Sequence, residues 1–310
     1  MRAVVQQSFG TPDVLTLTEA GRPVPLPGDV LVRVHAASVN PIDAYVRSGA
    51  APLLGEPPFT VGWDVSGVVE EVVPGVTRFK VGDEVFGMPF FPRSAGGYAE
   101  YVAAPSRHFA PKPAGVDHVA AAALPLAGLT AWQALVDTAD VRPGQRVLVH
   151  GAGGGVGHLA VQIAKARGAE VLATASPAKH DFVRGLGADR VIDYTAGDFA
   201  DGLTGVDVVL DGIGGGYGQR SLPVLAPGGL LITLVERTDT ELAGAAAAAG
   251  RRFTGLTVEP DHVGLQGLAD LVDEGRLRPH VEHVLPLEEA AKAHELIESG
   301  QTRGKIVLAV

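Results

Sequence analysis

The sequence predicts an α/β protein, with a doubly wound parallel sheet in the middle of the chain and a β-rich segment before it. Three observations carry this. Gly and Pro recur at short intervals through the first third, between short runs of β-branched residues. From about residue 120 the rhythm changes to apolar strands alternating with helical stretches. The first of those strands, Arg146–His150, runs straight into a glycine-rich loop. Strands alternating with helices imply βαβ units and a parallel sheet.

In the first third, Asp29–His35, Val65–Val73, Gly82–Phe86 and Tyr98–Val102 read as strands. Asn40-Pro41-Ile42-Asp43 has the signature of a helix start, with Asn at the N-cap, Pro at the first helical position and an acid two residues on. Gly49 ends that short helix. Ala120–Leu135 reads as helix, broken by Pro125 and Gly128. Strands follow at Glu170–Ala175, Arg190–Tyr194, Val206–Leu210, Leu230–Leu234 and Phe253–Val258. Between them lie helices at His158–Arg167, from Ser176 to Gly185–Gly187, and after Thr238-Asp239-Thr240-Glu241, which reads as a capping box. After Pro260 come a helix (His262–Glu274), a strand (Val281–Leu285), a helix (Leu287–Glu298) and a final strand (Lys305–Val310).

The chain of 310 residues is long enough for two domains. Its net charge is −10, with acids and bases interspersed, so it lacks the basic stripe a nucleic-acid partner requires. There is no cysteine, which excludes disulfides, a thiolate nucleophile and any sulfur-based zinc site. The opening residues Met1–Gln7 contain no apolar run of signal-peptide length. No apolar run long enough to span a membrane escapes interruption by turn formers. The expected location is the cytoplasm.

The strongest chemical signal is Gly151-Ala152-Gly153-Gly154-Gly155-Val156-Gly157. A strand, a glycine loop and a helix in sequence aim backbone N–H groups and a helix N-terminus at a pyrophosphate. The register that fits the dinucleotide fingerprint starts at Ala152 and has glycine at 154 and 157. Gly154 lets the backbone approach the phosphates, and Gly157 lets the helix pack on the strand. Gly153, Gly154, Gly155 and Val156 are the expected phosphate-facing residues of a Rossmann domain.

NAD-binding domains place an acid at the end of the second strand to hold the ribose hydroxyls. Here Thr174-Ala175-Ser176-Pro177-Ala178-Lys179 offers hydroxyls and a cation instead. A 2′-phosphate needs donors and positive charge. The expected cofactor is therefore NADPH, with Ser176 and Lys179 on the phosphate. Ser176 also reads as a helix N-cap and Lys179 as a solvated first-turn residue, and neither role conflicts with phosphate binding. Tyr194, ending the third strand, reads either as a cover for the adenine ribose or as a rim tyrosine.

Several further motifs resemble the medium-chain dehydrogenase/reductase superfamily: Asn40–Asp43, Gly62-Trp63-Asp64-Val65-Ser66-Gly67, Val81-Gly82-Asp83-Glu84-Val85, Gly97–Val102, Gly128–Trp132 and Gly304–Leu308. The resemblance covers nearly the whole chain and is strongest to the zinc-free quinone oxidoreductase (ζ-crystallin-like) branch. It implies a GroES-like catalytic domain at 1–120 and 261–310, a Rossmann domain at 121–260, and an active site in the cleft between them. Zinc-bearing members carry a Gly-His-Glu triplet where this chain has Gly62-Trp63-Asp64, and Asn40 stands near the place of their first ligand. No metal site is therefore expected.

Without a Lewis acid, the chemistry that remains is hydride delivery to an already activated acceptor, a quinone or an α,β-unsaturated carbonyl. The resemblance places Asn40, Asp43 and Tyr45 beside the nicotinamide and acceptor, and Thr130 against the nicotinamide. Asn40 and Asp43 read equally as the helix cap. Gly212 and Ile213 follow a strand at the sheet's carboxyl edge, where the nicotinamide is expected. Trp63, Phe86, Met88, Phe90 and Phe91 read as an apolar acceptor pocket or as core. Two alternatives stand beside this reading: an enoyl or polyketide-tailoring reductase acting on a carrier-bound substrate, and a non-catalytic NADPH-binding sensor. The apolar edge strand Phe253–Val258 is expected to pair with its twofold mate, giving a homodimer.

Overall fold

The computed structural model describes residues 1–310. It divides into two compact units, one of Met1–Leu129, Glu259–Gly275 and Pro279–Val310, the other of Thr130–Val258 and Arg276–Arg278. No helix is long and apolar enough to cross a membrane.

The first unit opens with an antiparallel pair that the sequence reading leaves out, β1 (Arg2–Gln6) and β2 (Leu15–Glu19). Then come β3 (Asp29–Val39), α1 (Pro41–Ser48), β4 (Asp64–Val72), β5 (Glu84–Gly87), β6 (Tyr101–Pro105), β7 (Phe109–Pro111), α2 (His118–Ala122) and α3 (Pro125–Trp132). β3 runs past His35 to Val39 because Ala36–Val39 is buried and hydrogen-bonded to strands on both sides. The strand expected at Tyr98 begins instead at Tyr101, since Tyr98 turns its ring inward and is fully buried. Helix α1 begins after Asn40 and ends at Gly49, which sits at φ 84°. Pro125 starts α3 rather than breaking a longer helix, as its missing N–H is harmless in a first turn. Gly128 does not interrupt α3. A Cβ there would lie 2.8 Å from the Leu268 side chain, so the glycine serves close packing.

The second unit contains β8 (Arg146–Val149), α4 (Gly155–Ala166), β9 (Glu170–Ala175), α5 (His180–Gly185), β10 (Arg190–Asp193), β11 (Val206–Asp211), α6 (Tyr217–Ser221), β12 (Leu225–Thr233), α7 (Thr240–Ala248) and β13 (Arg252–Gly255). Its six strands are all parallel, in the order β10-β9-β8-β11-β12-β13. This is the doubly wound order, in which the winding direction reverses between β8 and β11 and opens a crevice at their carboxyl ends. Leu148, Leu172, Val209 and Leu231 from neighbouring strands form the middle of its core. Helix α4 starts at Gly155, inside the glycine loop, earlier than the expected His158. The N-cap of α7 is Asp239, not Thr238: its carboxylate accepts from the N–H groups of Glu241 and Leu242. The edge strand is Arg252–Gly255, shorter than Phe253–Val258.

The tail returns to the first unit as α8 (His262–Asp273), β14 (Val281–Pro286), α9 (Ala290–Glu298) and β15 (Lys305–Ala309). It completes a seven-stranded sheet along the path β14-β15-β3-β4-β5-β7, with β6 also on β3. All pairings are antiparallel except β14 with β15. Val32, Val65, Val85 and Phe109 lie at the centre of its core.

Candidate functional site

The glycine loop leaves β8 at the point where the sheet's winding reverses. Gly151 turns the chain at φ 64°, and Gly154 caps α4. The N–H groups of Gly155, Val156 and Gly157 open the twelve-residue α4 and have no carbonyl one turn earlier to accept them. No acid lies in that first turn to compete with an anion. Two glycines make close approaches, Gly157 to backbone and Gly153 to a side chain. A Cβ on Gly157 would lie 2.3 Å from the Gly151 carbonyl oxygen, and one on Gly153 would lie 2.7 Å from Cδ of Lys179. The Lys179 stem therefore runs against the loop beside Gly153, and it would have to shift to admit a larger residue there.

β9 ends at Ala175 with no acid, and Ser176 and Lys179 follow it half-buried. Thr174 departs from expectation. It is buried, and its hydroxyl takes the Gly151 N–H at 3.3 Å and faces His150 Nδ1 at 3.1 Å, so it shapes the loop and is not offered to a ligand. An acid does occur on the neighbouring strand, where Asp193 stands in register with Ala175. Its Oδ1 is taken by the Thr195 N–H at 2.8 Å and hydroxyl at 2.6 Å. Tyr194 beside it is 42% exposed.

Across the switch point, β11 ends at Asp211. This carboxylate is buried, and its Oδ1 accepts from Ile213 N at 2.9 Å and Gly214 N at 3.2 Å. The turn it holds leaves Gly212 and Ile213 exposed. The Ile213 side chain still reaches the loop: a Cβ on Gly151 would meet its Cδ1 at 2.8 Å. Burial pushes the Asp211 pKa up. Thr130 is buried. The glycine cradle, the uncontested helix N-terminus and the adjoining lysine all fit a dinucleotide phosphate.

The first unit holds a buried polar cluster around the start of α1. Asn40 Nδ2 donates to Asp64 Oδ2 at 2.9 Å, and Asn40 Oδ1 accepts from Lys305 Nζ at 2.5 Å. Lys305 Nζ also lies 3.2 Å from the Val39 carbonyl and 3.5 Å from Asp64 Oδ2. Asp64 Oδ1 accepts the Leu126 N–H at 2.7 Å. Asp43 Oδ2 accepts the Asn40 N–H at 2.7 Å and the Tyr98 hydroxyl at 3.2 Å. The Tyr98 hydroxyl also meets His294 Nε2 at 3.2 Å. Asn40, Asp43, Asp64, Tyr98, His294 and Lys305 are all buried.

Burial pushes Asp43 up to about 7, aided by the negative charge of Asp64 and opposed by its hydrogen bonds and by Lys305. It raises Asp64 as well, against the pull of Lys305, and lowers Lys305. His294 falls to about 3, chiefly through burial and then through the Arg47 charge. Two carboxylates face one ammonium, so the cluster is nearest neutrality with one proton on Asp43.

Of the three residues expected to meet the acceptor, Asn40 and Asp43 are thus enclosed in this cluster. Tyr45 lies on the other face of α1 and is 56% exposed. Trp63, Phe86 and Met88 are core; the Trp63 indole N–H donates to the Arg93 carbonyl at 2.7 Å. Phe90 and Phe91 are half-buried. No group of three or more histidine and acidic side chains is gathered to hold a metal ion. Sequence reasoning passes over Tyr98, His294, Lys305 and His150. Lys305 carries a readable signal, a cation heading the apolar run Ile306–Leu308. Tyr98 and His294 carry none, because their partners are remote in sequence.

Comparison with known proteins agrees with this architecture. A family profile described as alcohol dehydrogenase GroES-like domain matches residues 26–114, and one described as zinc-binding dehydrogenase matches 186–308. Rat quinone oxidoreductase is 36% identical over 323 residues, covering 99% of this chain and 97% of that protein. The solved quinone oxidoreductase from Coxiella burnetii superposes with a TM-score of 0.94 at 38% identity, covering 100% of this chain and 99% of that one. The Escherichia coli quinone oxidoreductase complexed with NADPH gives 0.90 at 29% identity, with both chains fully (100%) covered. The chain belongs to the medium-chain dehydrogenase/reductase superfamily, in its quinone oxidoreductase branch.

Proposed function

We propose that the chain is an NADPH-dependent oxidoreductase that delivers hydride to a quinone or α,β-unsaturated carbonyl without a metal ion. One observation carries the cofactor assignment: the glycine loop stands at the switch point with Lys179 laid against Gly153, and β9 ends without an acid. The NADPH complex of the E. coli relative supports it. When bound, NADPH supplies the hydride. The chain's own residues bind and orient. Gly153, Gly154, Gly155 and Val156 hold the pyrophosphate through backbone N–H groups. Ser176 and Lys179 take the 2′-phosphate, and Tyr194 covers the adenine ribose. Thr130, Gly212 and Ile213 flank the nicotinamide.

Asn40, Asp43 and Tyr45 serve the acceptor in this reading. Tyr45, being exposed, donates to the oxygen on which charge develops, and solvent supplies the last proton. Asn40 and Asp43 hold the start of α1 that carries it. The metal-free reading is supported by how the polar groups near α1 are spent: both oxygens of Asp64 and both side-chain ends of Asn40 already bond within the chain.

The test is anaerobic NADPH consumption with 1,4-benzoquinones and short enones, before and after treatment with a chelator. Turnover unaffected by the chelator is expected. Absence of oxidation with every acceptor overturns the catalytic reading, and loss of turnover that zinc restores overturns the metal-free one.

Two narrower outcomes follow. Wild-type protein binds NADPH more tightly than NADH in a fluorescence titration. Lys179→Ala weakens NADPH by about tenfold, the worth of one charge-assisted hydrogen bond, and leaves NADH nearly unchanged. Equal affinities in the wild type contradict the 2′-phosphate assignment. We also propose a homodimer through the exposed edge β13, continuing the six-stranded sheet into its mate. Light scattering at twice the chain mass is the expected result, and a monomer refutes it.

A further inference from the structure

His150 is the residue between β8 and the glycine loop, and it is almost fully buried. Its backbone N–H still bonds to the Leu210 carbonyl, at 3.0 Å, so it is held by the sheet. Its ring is packed edge-on against Phe199 and Tyr217, with centroids 4.5 and 5.0 Å away. Each ring nitrogen meets one hydroxyl: Nδ1 lies 3.1 Å from Thr174 Oγ1, and Nε2 lies 2.9 Å from Ser221 Oγ.

Ser221 has one hydroxyl hydrogen, and it goes to the Tyr217 carbonyl at 2.8 Å. Nε2 must therefore donate to Ser221, which leaves Nδ1 of the neutral ring as an acceptor. Thr174 donates to Nδ1, and its free lone pair receives the Gly151 N–H at 3.3 Å. Burial, with Arg220 adding to it, lowers the imidazole to about 3, so the neutral tautomer persists at ordinary pH. One directional chain thus runs from Gly151 N–H through Thr174, His150 and Ser221 to the Tyr217 carbonyl. It ties the start of the glycine loop to α6, which follows the Gly212–Gly216 turn.

The geometry points to His150 as a positioning residue for the cofactor: it sets the glycine loop and the β11–α6 turn in one fixed relation, acting through the Thr174 and Ser221 hydroxyls. This rests on the NADPH reading above, in which those two segments hold the pyrophosphate and flank the nicotinamide. His150 itself touches neither. The connection requires an acceptor at the Nδ1 position and a donor at Nε2, which no apolar side chain of similar size supplies.

The test uses the full chain, with NADPH titrations by calorimetry and thermal unfolding without ligand. His150→Leu is expected to raise the NADPH Kd by about tenfold or more, through an unpaired Thr174 hydroxyl and a loosened Gly151. His150→Asn, whose side-chain oxygen can stand where Nδ1 stood, keeps the Thr174 half of the connection and loses the Ser221 half, so its Kd is expected to lie between those of the wild type and His150→Leu. At saturating NADPH, turnover of both stays near the wild-type value, so KM moves and kcat does not. Thr174→Val, which is isosteric and breaks the same connection, weakens binding alike and keeps the test open should His150→Leu fail to fold. Combined with His150→Leu it adds little further loss. Equal binding by the wild type and Thr174→Val, or equal loss in the Asn and Leu variants, overturns the proposal. A wild-type chain that binds no NADPH overturns the reading beneath it instead.

Discussion

Gly157→Ala is expected to abolish measurable NADPH binding and to lower the unfolding temperature. The added methyl would stand 2.3 Å from the Gly151 carbonyl oxygen and 2.7 Å from Cα of Ala152. Both are backbone atoms of the loop, so no side chain can rotate aside. Either α4 moves off the end of β8 or the loop opens, and both displace the N–H groups of Gly155 and Val156. Overpacking of this kind costs about 1–3 kcal/mol in stability. The cost to binding is larger, because phosphate contacts depend on position to a few tenths of an ångström. Unchanged Kd and unchanged thermal unfolding would falsify the assignment of the loop. By contrast, a Cβ on Gly154 has only the Gly151 oxygen near it, at 3.3 Å, so Gly154→Ala should fold well and lose affinity alone.

The second large effect is expected at Lys305. Its ammonium is the one cation bonded within a cluster that contains Asp43 and Asp64. Lys305→Met leaves the buried Asp64 carboxylate, its partner at 3.5 Å, without a counter-charge while Asp43 stays protonated, and removing one member of a buried pair costs about 3–5 kcal/mol. Chemical denaturation followed by tryptophan emission should show the midpoint falling well below the wild-type value. Asp64→Asn combined with Lys305→Met should recover part of the loss, since the uncompensated charge is then gone. If Lys305→Met is as stable as the wild type, Lys305 does not neutralise the buried Asp64 carboxylate.

The same cluster sets a pH dependence. In the folded protein Asp43 is raised from 3.8 to about 7, so folding favours its protonated form. The stability it contributes is fully present below its unfolded value and is lost as pH rises through about 7. Stability attributable to Asp43 therefore declines from roughly pH 4 to 7 and is level above that. Asp43→Asn should flatten this part of the curve, and an unchanged slope would place the titration elsewhere.

Much of the second unit is legible along the chain. Its signals are local: β9 is read to the residue, and the loop's glycine spacing is interpretable because strand and helix flank it directly. The misreadings share one cause. Gly128 and Tyr98 look like a helix break and a strand start, yet each is decided by a remote neighbour, Leu268 in one case and Asp43 with His294 in the other. Asn40 and Asp43 are recognisable as a helix start, but nothing local says that both are enclosed. Thr174 reads as a phosphate donor because a hydroxyl after an apolar strand looks free, whereas His150 and Gly151 use it.

By itself, the sequence of this protein determined its α/β character, the glycine loop between β8 and α4, the absence of an acid at the end of β9 and the lack of any thiolate metal ligand. These rest on residue type and short spacing, which the backbone conformation preserves. Only the tertiary structure decided that Lys179 lies against Gly153, that His150 ties the glycine loop to α6, and that Lys305 joins Asn40 and Asp64. Those partners are separated by long stretches of chain, and burial decides their charge. A lone sequence specifies that pairing only through the whole fold.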